Sequence, residues 1–457
     1  MDLQIELVTG SPLRRQLEDA LREAVRSRRL APGSLLPPSR VLAAELGVSR
    51  GVVVDSYSQL VAEGYLWAKR GSGTRVAVLP TPGGTGPRRD LGPAQPDPRP
   101  RYDLRPGQAD FHGFPRRRWQ TAIGAALREL ADTRLTYAPH RGAPELRRAI
   151  AAYLARARAV VAEPEQVVIC CGVSHGLLAV LGALRRHGAR RVAVEDPGWR
   201  WQRLTVERAG LEPVPVPVDD DGLRVTELAA REVDAVMVTP AHQYPIGAVL
   251  SAERRADLVT WAQRRGATIL EDDYDAEYRY DHDPMAALQG LAPRHVAFVG
   301  TVSKTLAPAL RTGWIVVPPH LLAEVEQEFR VSAAMPPTLD QVALASLIED
   351  GALDRHLRAM RRRYRVKREL LIETVARHAD VRVSGAAAGL HVTAWLPDGR
   401  DERDVALRAR AKGVAVHELH RHCTTHFQWP PALLLGYALP TEPEIATGAR
   451  LLAEAIG

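Results

Sequence analysis

The chain has little cysteine, no leader-like opening, no long apolar run and no internal repeat, and each absence removes a class of protein. Three cysteines among 457 residues, two of them adjacent at Cys170 and Cys171, cannot make a disulfide framework and lack the spacing of a zinc site. Reduced thiols follow. The opening MDLQIELVTGSPLRRQ has no basic stretch ahead of an apolar one, and nowhere do the roughly eighteen uncharged apolar residues of a membrane span occur. The expectation is a cytoplasmic protein with no membrane partner. What remains is globular material, with 46% hydrophobic residues to fill two or three cores. A formal net charge of +7 suits a nucleic-acid partner without identifying one.

Proline and glycine crowd the stretch PTPGGTGPRRDLGPAQPDPRPRY, where no apolar period survives. Residues 80–102 therefore read as a linker between a compact segment, 1–79, and a large α/β segment, 103–457, whose last part from about 330 reads as a smaller α+β subdomain.

In the first segment Leu13, Leu17, Leu21 and Val25 recur every fourth residue while arginines take the other faces, an amphipathic helix that Pro32-Gly33 closes. A second helix starts near Ser39 and buries Leu42, Ala43 and Leu46. Gly47 supplies the turn, and Ser49 caps a third helix burying Val53, Tyr57, Leu60 and Val61. Two β-like runs, Tyr65-Leu66-Trp67 and Thr74-Arg75-Val76, flank the basic tip Lys69-Arg70-Gly71-Ser72-Gly73. Helix-turn-helix followed by a hairpin is a winged DNA-binding head. Arg50, beside the capping Ser49, can reach base edges in the major groove, while Arg40, Lys69, Arg70 and the tip at Gly71 can meet phosphates or the minor groove. Through L-P-P-S-R at 36–40, L-G-V-S-R at 46–50 and G-Y-L-W-A-K-R-G-S-G-T-R-V at 64–76, the segment resembles the GntR family of bacterial repressors.

The larger segment alternates helical patterns with β-like runs at Gln166–Cys170, Arg191–Glu195, Ala235–Thr239, Thr268–Asp272 and Val296–Gly300, which implies a mostly parallel sheet. Ligands of such sheets lie beyond the carboxyl ends of the strands. There Asp272 ends an apolar run, and a buried acid needs a partner such as a protonated pyridine nitrogen. Tyr274, two residues on, can approach the phenolic oxygen of the same ring. Lys304 follows another apolar run and can form a Schiff base with an aldehyde cofactor. Arg311 can pair with a phosphate, Gly172-Val173-Ser174 offers backbone N–H groups at a helix start, and Trp199 offers a flat face for stacking.

In their order along the chain, T-Y-A-P-H-R-G-A-P-E-L-R at 136–147, E-D-P-G-W at 195–199, H-Q-Y-P-I-G at 242–247, E-D-D-Y-D at 271–275 and T-V-S-K at 301–304 resemble the fold type I aminotransferases. Joined to a GntR-like head, the whole resembles the MocR subfamily. The resemblance implies pyridoxal 5'-phosphate bound as a Schiff base at Lys304, with its ring nitrogen on Asp272, its phenolic oxygen near Tyr274, and its phosphate on Val173, Ser174, Thr301, Ser303 and Arg311. It also implies a head-to-tail homodimer, an operator DNA and a small effector. Ordinary aminotransferases carry an Asn-Pro turn where this chain has His242-Gln243-Tyr244-Pro245, so Gln243 and Tyr244 both stand as candidates to face the ring.

One departure bears on function. The arginine that holds a substrate carboxylate in the family falls on Leu434 in Leu433-Leu434-Leu435-Gly436-Tyr437, and no arginine lies between Gln428 and Tyr437. An amino-acid carboxylate loses its main anchor, while a B6 vitamer or an amine remains open as effector. The preferred reading is an effector-sensing transcription regulator; the alternative is a pyridoxal-phosphate-dependent aminotransferase with an appended head. His417, His420, His422, Cys423 and His426 read as a polar loop near the cofactor mouth in preference to a metal site. Arg358 to Arg368 reads as the solvated face of a long helix, and secondarily as a DNA-facing patch.

Overall fold

The computed structural model describes residues 7, 12–69, 73–78, 100–280, 285–385, 387–424 and 429–457. The chain divides into two compact units, Met1–Pro96 and Asp97–Gly457.

The first unit contains α1 (Leu13–Arg26), α2 (Ser39–Leu46), α3 (Arg50–Ala62), β1 (Leu66–Lys69) and β2 (Gly73–Val76). The fourfold spacing on α1 puts Leu17 and Leu21 against Leu42, Val53, Leu60 and Val76 in one core, while Leu46 and Val61 are only partly buried at its edge. α1 ends short of Pro32-Gly33. Arg28 takes φ +60° and the Leu30 N–H returns to the Ala24 carbonyl, so the chain has already turned away. Gly47 takes φ +65°, a conformation that favours glycine, and turns α2 into α3. The Ser49 hydroxyl accepts from Val52 N–H at 3.4 Å and caps α3. β1 and β2 pair antiparallel from Leu66↔Val76 to Lys69↔Gly73.

The second unit opens with β3 (Tyr102–Asp103) and is built on an eight-stranded sheet. Its strands are β4 (Val167–Cys170), β5 (Arg191–Asp196), β6 (Glu212–Asp219), β7 (Gly222–Leu223), β8 (Ala235–Val238), β9 (Thr268–Asp273), β10 (Val296–Thr301) and β11 (Gly313–Val316), in the order β4-β11-β10-β9-β8-β5-β6-β7. β6, β5, β8, β9 and β10 run parallel; β11 is antiparallel to both its neighbours, which leaves β4 aligned with β10. Helices cover both faces. Along β10, Ala297 and Val299 pack in the cluster of Leu177, Val180 and Phe329, while Phe298 between them packs with Leu146, Ile150 and Leu344. All six residues of β9 and of β10 are buried, which is why these strands read as continuous apolar runs up to their acidic or polar ends.

The C-terminal part has a second sheet of β12 (Arg382–Ser384), β13 (His391–Trp395), β15 (His417–Glu418) and β16 (Ala432–Gly436), in the antiparallel order β12-β13-β16-β15. β14 (Val414–Ala415) pairs with β3, so the segment that opens the unit is carried by its C-terminal part. The helix Ala352–His378 corrects the reading of Arg358 to Arg368 as a solvated face. Leu353, Leu357, Met360, Tyr364, Leu371 and Val375 make its buried stripe, and Lys367 falls on that stripe, one turn from Tyr364. Lys367 donates to Asp110 at 2.9 Å and to the Ala438 carbonyl at 2.8 Å, and the guanidinium of the buried Arg368 lies over the Tyr280 ring; Arg358, Arg362 and Arg365 remain exposed. Among the described residues no helix is long and apolar enough to cross a membrane.

Candidate functional site

Six strands ending at one edge of the sheet bring the sequence-predicted residues of the body together. Asp272, the penultimate residue of β9, is 4% exposed. Its Oδ2 accepts from the Gln202 amide at 2.8 Å, and its Oδ1 has no hydrogen-bond partner among the described residues. Burial pushes this carboxyl up to about 7, against the pull of the Gln202 bond and of Lys304. Lys304, just beyond β10, donates to the Gly107 carbonyl at 2.5 Å. Burial lowers its pKa, opposed by Asp275 and Asp272, which shifts the balance toward the nucleophilic amine. Gly107 takes φ +90°, which brings its backbone against the lysine.

Tyr274 leaves β9 directly after the acidic run. Its hydroxyl donates to the His242 carbonyl at 3.0 Å and lies 3.0 Å from His242 Nδ1, which also meets Asp275 Oδ2 at 3.0 Å. An Nδ1 proton directed at the carboxylate leaves Nε2 as the bare acceptor, and Nε2 has no partner among the described residues. His391 joins from β13, its Nε2 donating to the Pro245 carbonyl at 3.1 Å. His242, Asp275 and His391 each offer one ligand atom within 4.8 Å of the others, a grouping unrelated to the cluster at 417–426. In that cluster His417 lies on β15, His420 pairs with Glu402, His422 is buried against Tyr244, Cys423 is half-buried, and His426 lies outside the described residues.

The turn after β8 is held by Gln243. Its Nε2 donates to Glu195 Oε2 and to the Pro197 and Tyr244 carbonyls, and its Oε1 accepts from Ile246 N–H, so this side chain shapes the turn. The Tyr244 ring meets Tyr274 and His422 edge-on at centroid distances of 6.3 and 5.0 Å. Trp199 is half-buried immediately before the helix Arg200–Arg208, and the neighbouring Gly198 N–H donates to the His422 carbonyl at 3.0 Å.

At the other end of the site Gly172, with φ +90°, leads into the helix Val173–Arg186, whose first turn no side chain caps. The N–H groups of Val173 and Ser174 thus stand at a positive helix end. Arg311 takes φ +48° and donates to the Cys171 carbonyl at 2.9 Å, close beside that helix start. The Thr301 hydroxyl donates to the Thr312 carbonyl at 3.0 Å, accepts from Ser303 N–H at 3.1 Å and lies 2.9 Å from the Ser303 hydroxyl. Sequence reasoning missed Gln202, Gly107, Asp275 and His391. Gln202 carried a signal, a polar residue on the buried side of an otherwise arginine-rich helix; His391 carried none beyond its place in an apolar strand.

In the head, Arg40, Ser49, Arg50 and Lys69 are all exposed, on α2, at the start of α3 and at the end of β1. Arg70 and Gly71 lie outside the described residues.

Residues 13–76 match the family of bacterial regulatory proteins called gntR, and residues 109–425 match aminotransferase class I and II, a pyridoxal-phosphate-dependent class. The probable rhizopine catabolism regulatory protein MocR of Rhizobium meliloti is 34% identical over 93% of this chain and 90% of its own length. The HTH-type pyridoxine biosynthesis transcriptional regulator PdxR of Corynebacterium glutamicum is 34% identical over 90% of each chain. The crystal structure of an archaeal alanine:glyoxylate aminotransferase has a TM-score of 0.71 at 26% identity, covering 78% of this chain and 90% of that one. With both series of motifs in one chain, and relatives that share them along nearly its full length, the chain belongs to the MocR type of GntR-family transcriptional regulators, a helix-turn-helix head joined to an aminotransferase-like domain.

Proposed function

We propose that the chain binds pyridoxal phosphate and an operator DNA, and that a small effector reaching the cofactor changes the hold on that DNA. The observation that carries the cofactor assignment is the buried Asp272 carboxyl with one partnerless oxygen, across the sheet edge from the half-buried Lys304. A pyridinium N–H supplies the missing donor, and no ordinary solvated aspartate has that need. Asp272 would hold the ring nitrogen, Tyr274 the phenolic oxygen, Trp199 the ring face, and Val173, Ser174, Thr301, Ser303 and Arg311 the phosphate. When bound, the cofactor supplies an aldehyde that takes an amine and a ring that withdraws electrons. Lys304 provides the amine on the protein side; His242, fixed by Asp275, can hold a proton beside Tyr274.

Arg50 would read bases and Arg40 and Lys69 would meet phosphates, in the cytoplasm where such DNA lies. A head-to-tail homodimer belongs to the same reading, supported by Leu135 and Tyr137, exposed at 65% and 98% just before and within the start of the stretch 136–147. The effector is an amino acid, an amine or a B6 vitamer, the last in keeping with the pyridoxine-biosynthesis regulator among the relatives.

A second reading, an aminotransferase with an appended head, is favoured by the intact surroundings of Lys304 and opposed by Leu434. One experiment separates them. Purified protein and Lys304→Ala are compared by near-visible absorbance, then titrated with amino acids, amines and vitamers while operator binding and keto-acid product are followed. A cofactor band lost in the variant, with effector-dependent DNA binding and no product, is the expected result. Steady product formation establishes the enzyme, and the absence of any band ends the cofactor assignment.

A further inference from the structure

We propose that the pocket wall formed by Tyr244, His417 and His422 selects an effector amine that carries a hydroxyl, and no carboxylate, at the end remote from Lys304. The inference rests on the cofactor and effector reading above and names the effector's chemistry.

Strand pairing fixes which residues share the wall. Leu434 pairs with Thr393 on one side and with His417 on the other, and side chains of paired residues point to the same face of a sheet. His391, two residues before Thr393, shares that face. Both His391 and Thr393 reach the Pro245 carbonyl, at 3.1 and 2.7 Å, so the face looks toward the Tyr244-Pro245 turn of the site. Leu434 is fully buried there among Trp395, Leu419 and Ala432. The position that elsewhere supplies a guanidinium supplies a methyl surface.

The polar atoms on this wall are imidazoles and a phenol. His422 is 7% exposed, lies edge-on to Tyr244 and has no partner for Nδ1 among the described residues; His417 Nδ1 is likewise buried and without one. The contact from the Tyr244 hydroxyl to His422 Nε2 is long, 3.5 Å. Burial, with His417 next, lowers His422 to about 3, and burial with His242 and His422 holds His391 well below its usual range. These rings are uncharged at neutral pH. A neutral imidazole has one donor and one acceptor nitrogen, which a hydroxyl can satisfy from both sides; a carboxylate only accepts. Three cations lie within electrostatic reach, of which Arg421, beside both His417 and His422, is paired with Glu418 Oε2 at 2.6 Å. Arg105, near His417, is already held on both Asp103 oxygens, at 2.8 and 2.6 Å. Arg203, near His422, lines a separate surface recess with Arg200, Glu207, Pro213 and Thr424.

The test uses the full chain loaded with pyridoxal phosphate. Amino alcohols from ethanolamine to aminopentanol are titrated against amino acids and plain alkylamines of matched length, reading the cofactor absorbance and the affinity for an operator fragment. The best amino alcohol should half-saturate at about tenfold lower concentration than its acid and alkyl counterparts, the worth of one or two satisfied hydrogen bonds. His422→Phe, which keeps the ring volume, should bring it to the alkylamine level, and Leu434→Arg should shift the preference to the acid. An acid that matches or beats the alcohol in the natural chain overturns the proposal, as does a preference that survives His422→Phe. Should Leu434→Arg not fold, the ranking in the natural chain and in His422→Phe still decides. Equal responses to all three series sink this inference alone; no absorbance response, with Lys304→Ala indistinguishable from the natural chain, takes the cofactor reading with it.

Discussion

In the head, Arg40, Ser49, Arg50 and Lys69 stand exposed over a core that is mostly apolar, with Ser56 and Glu18 its buried polar members; in the body, Asp272, Tyr274, His391 and Lys304 are withdrawn among carboxylates and imidazoles that burial keeps from ionising normally. On the proposed reading the same chain recognises in two ways. A surface site needs only a rigid support and charges that water screens, so each residue contributes nearly independently. An interior site couples its members, because every unpaired polar group there costs stability until something meets it.

The comparison can be broken first at Arg158 and Asp273, a bidentate pair with both side chains under 5% exposed. Arg158→Leu strands the Asp273 charge and should cost on the order of 3–5 kcal/mol in urea unfolding of the body. Asp272→Asn removes a charge-assisted partner and should weaken pyridoxal phosphate about ten- to a hundredfold by equilibrium dialysis, with the Tm of the cofactor-free protein unchanged or raised. In the head, Arg50→Ala should lose roughly 1–3 kcal/mol of operator affinity and relax the base preference at one position. Lys69→Ala should weaken all sequences alike and lower the salt slope by about one. Ser49→Ala should be the smallest, about 1 kcal/mol of head stability from the lost cap.

The pH response sharpens the same contrast. Glu195, Glu271 and Asp272 are each pushed by burial to about 7. In the unfolded chain they release protons near pH 4, so between about 4 and 7 the folded body holds more protons than the unfolded chain. Stability contributed by these groups is therefore fully present below that window and lost as pH rises through 7. The buried His391 and His422 have the opposite slope below about pH 6.5 in both proteins, so the readout is the difference: the Tm of the cofactor-free protein should fall relative to that of Asp272→Asn as pH rises from about 4 to 7, and a difference that does not change with pH would show that Asp272 ionises normally.

How much was legible follows from the same difference. The head's helices, turn and wing came from local signals: fourfold leucines, Gly47, the Ser49 cap and a basic glycine tip. The end of α1 was misread, because a left-handed Arg28 turned the chain before Pro32 could, and Leu46 and Val61, read as core, lie only partly buried at its edge. In the body the strand ends were readable, since a buried parallel strand is an apolar run and its last residue faces the ligand edge. Partners from distant segments were not. Gly107 reaches Lys304 across 197 positions and Gln202 reaches Asp272 across 70, and no spacing rule connects them. Lys367 was hidden in a run of arginines, although its register with Met360 and Tyr364 pointed inward all along.

The partnerless oxygen of Asp272 has a consequence outside recognition altogether. A fold with such a gap is more stable by mass action whenever a ligand that fills it is abundant, and less so when it is scarce. The lifetime of the protein in the cell would then follow the supply of that ligand, so its own abundance would carry the message before any DNA is touched.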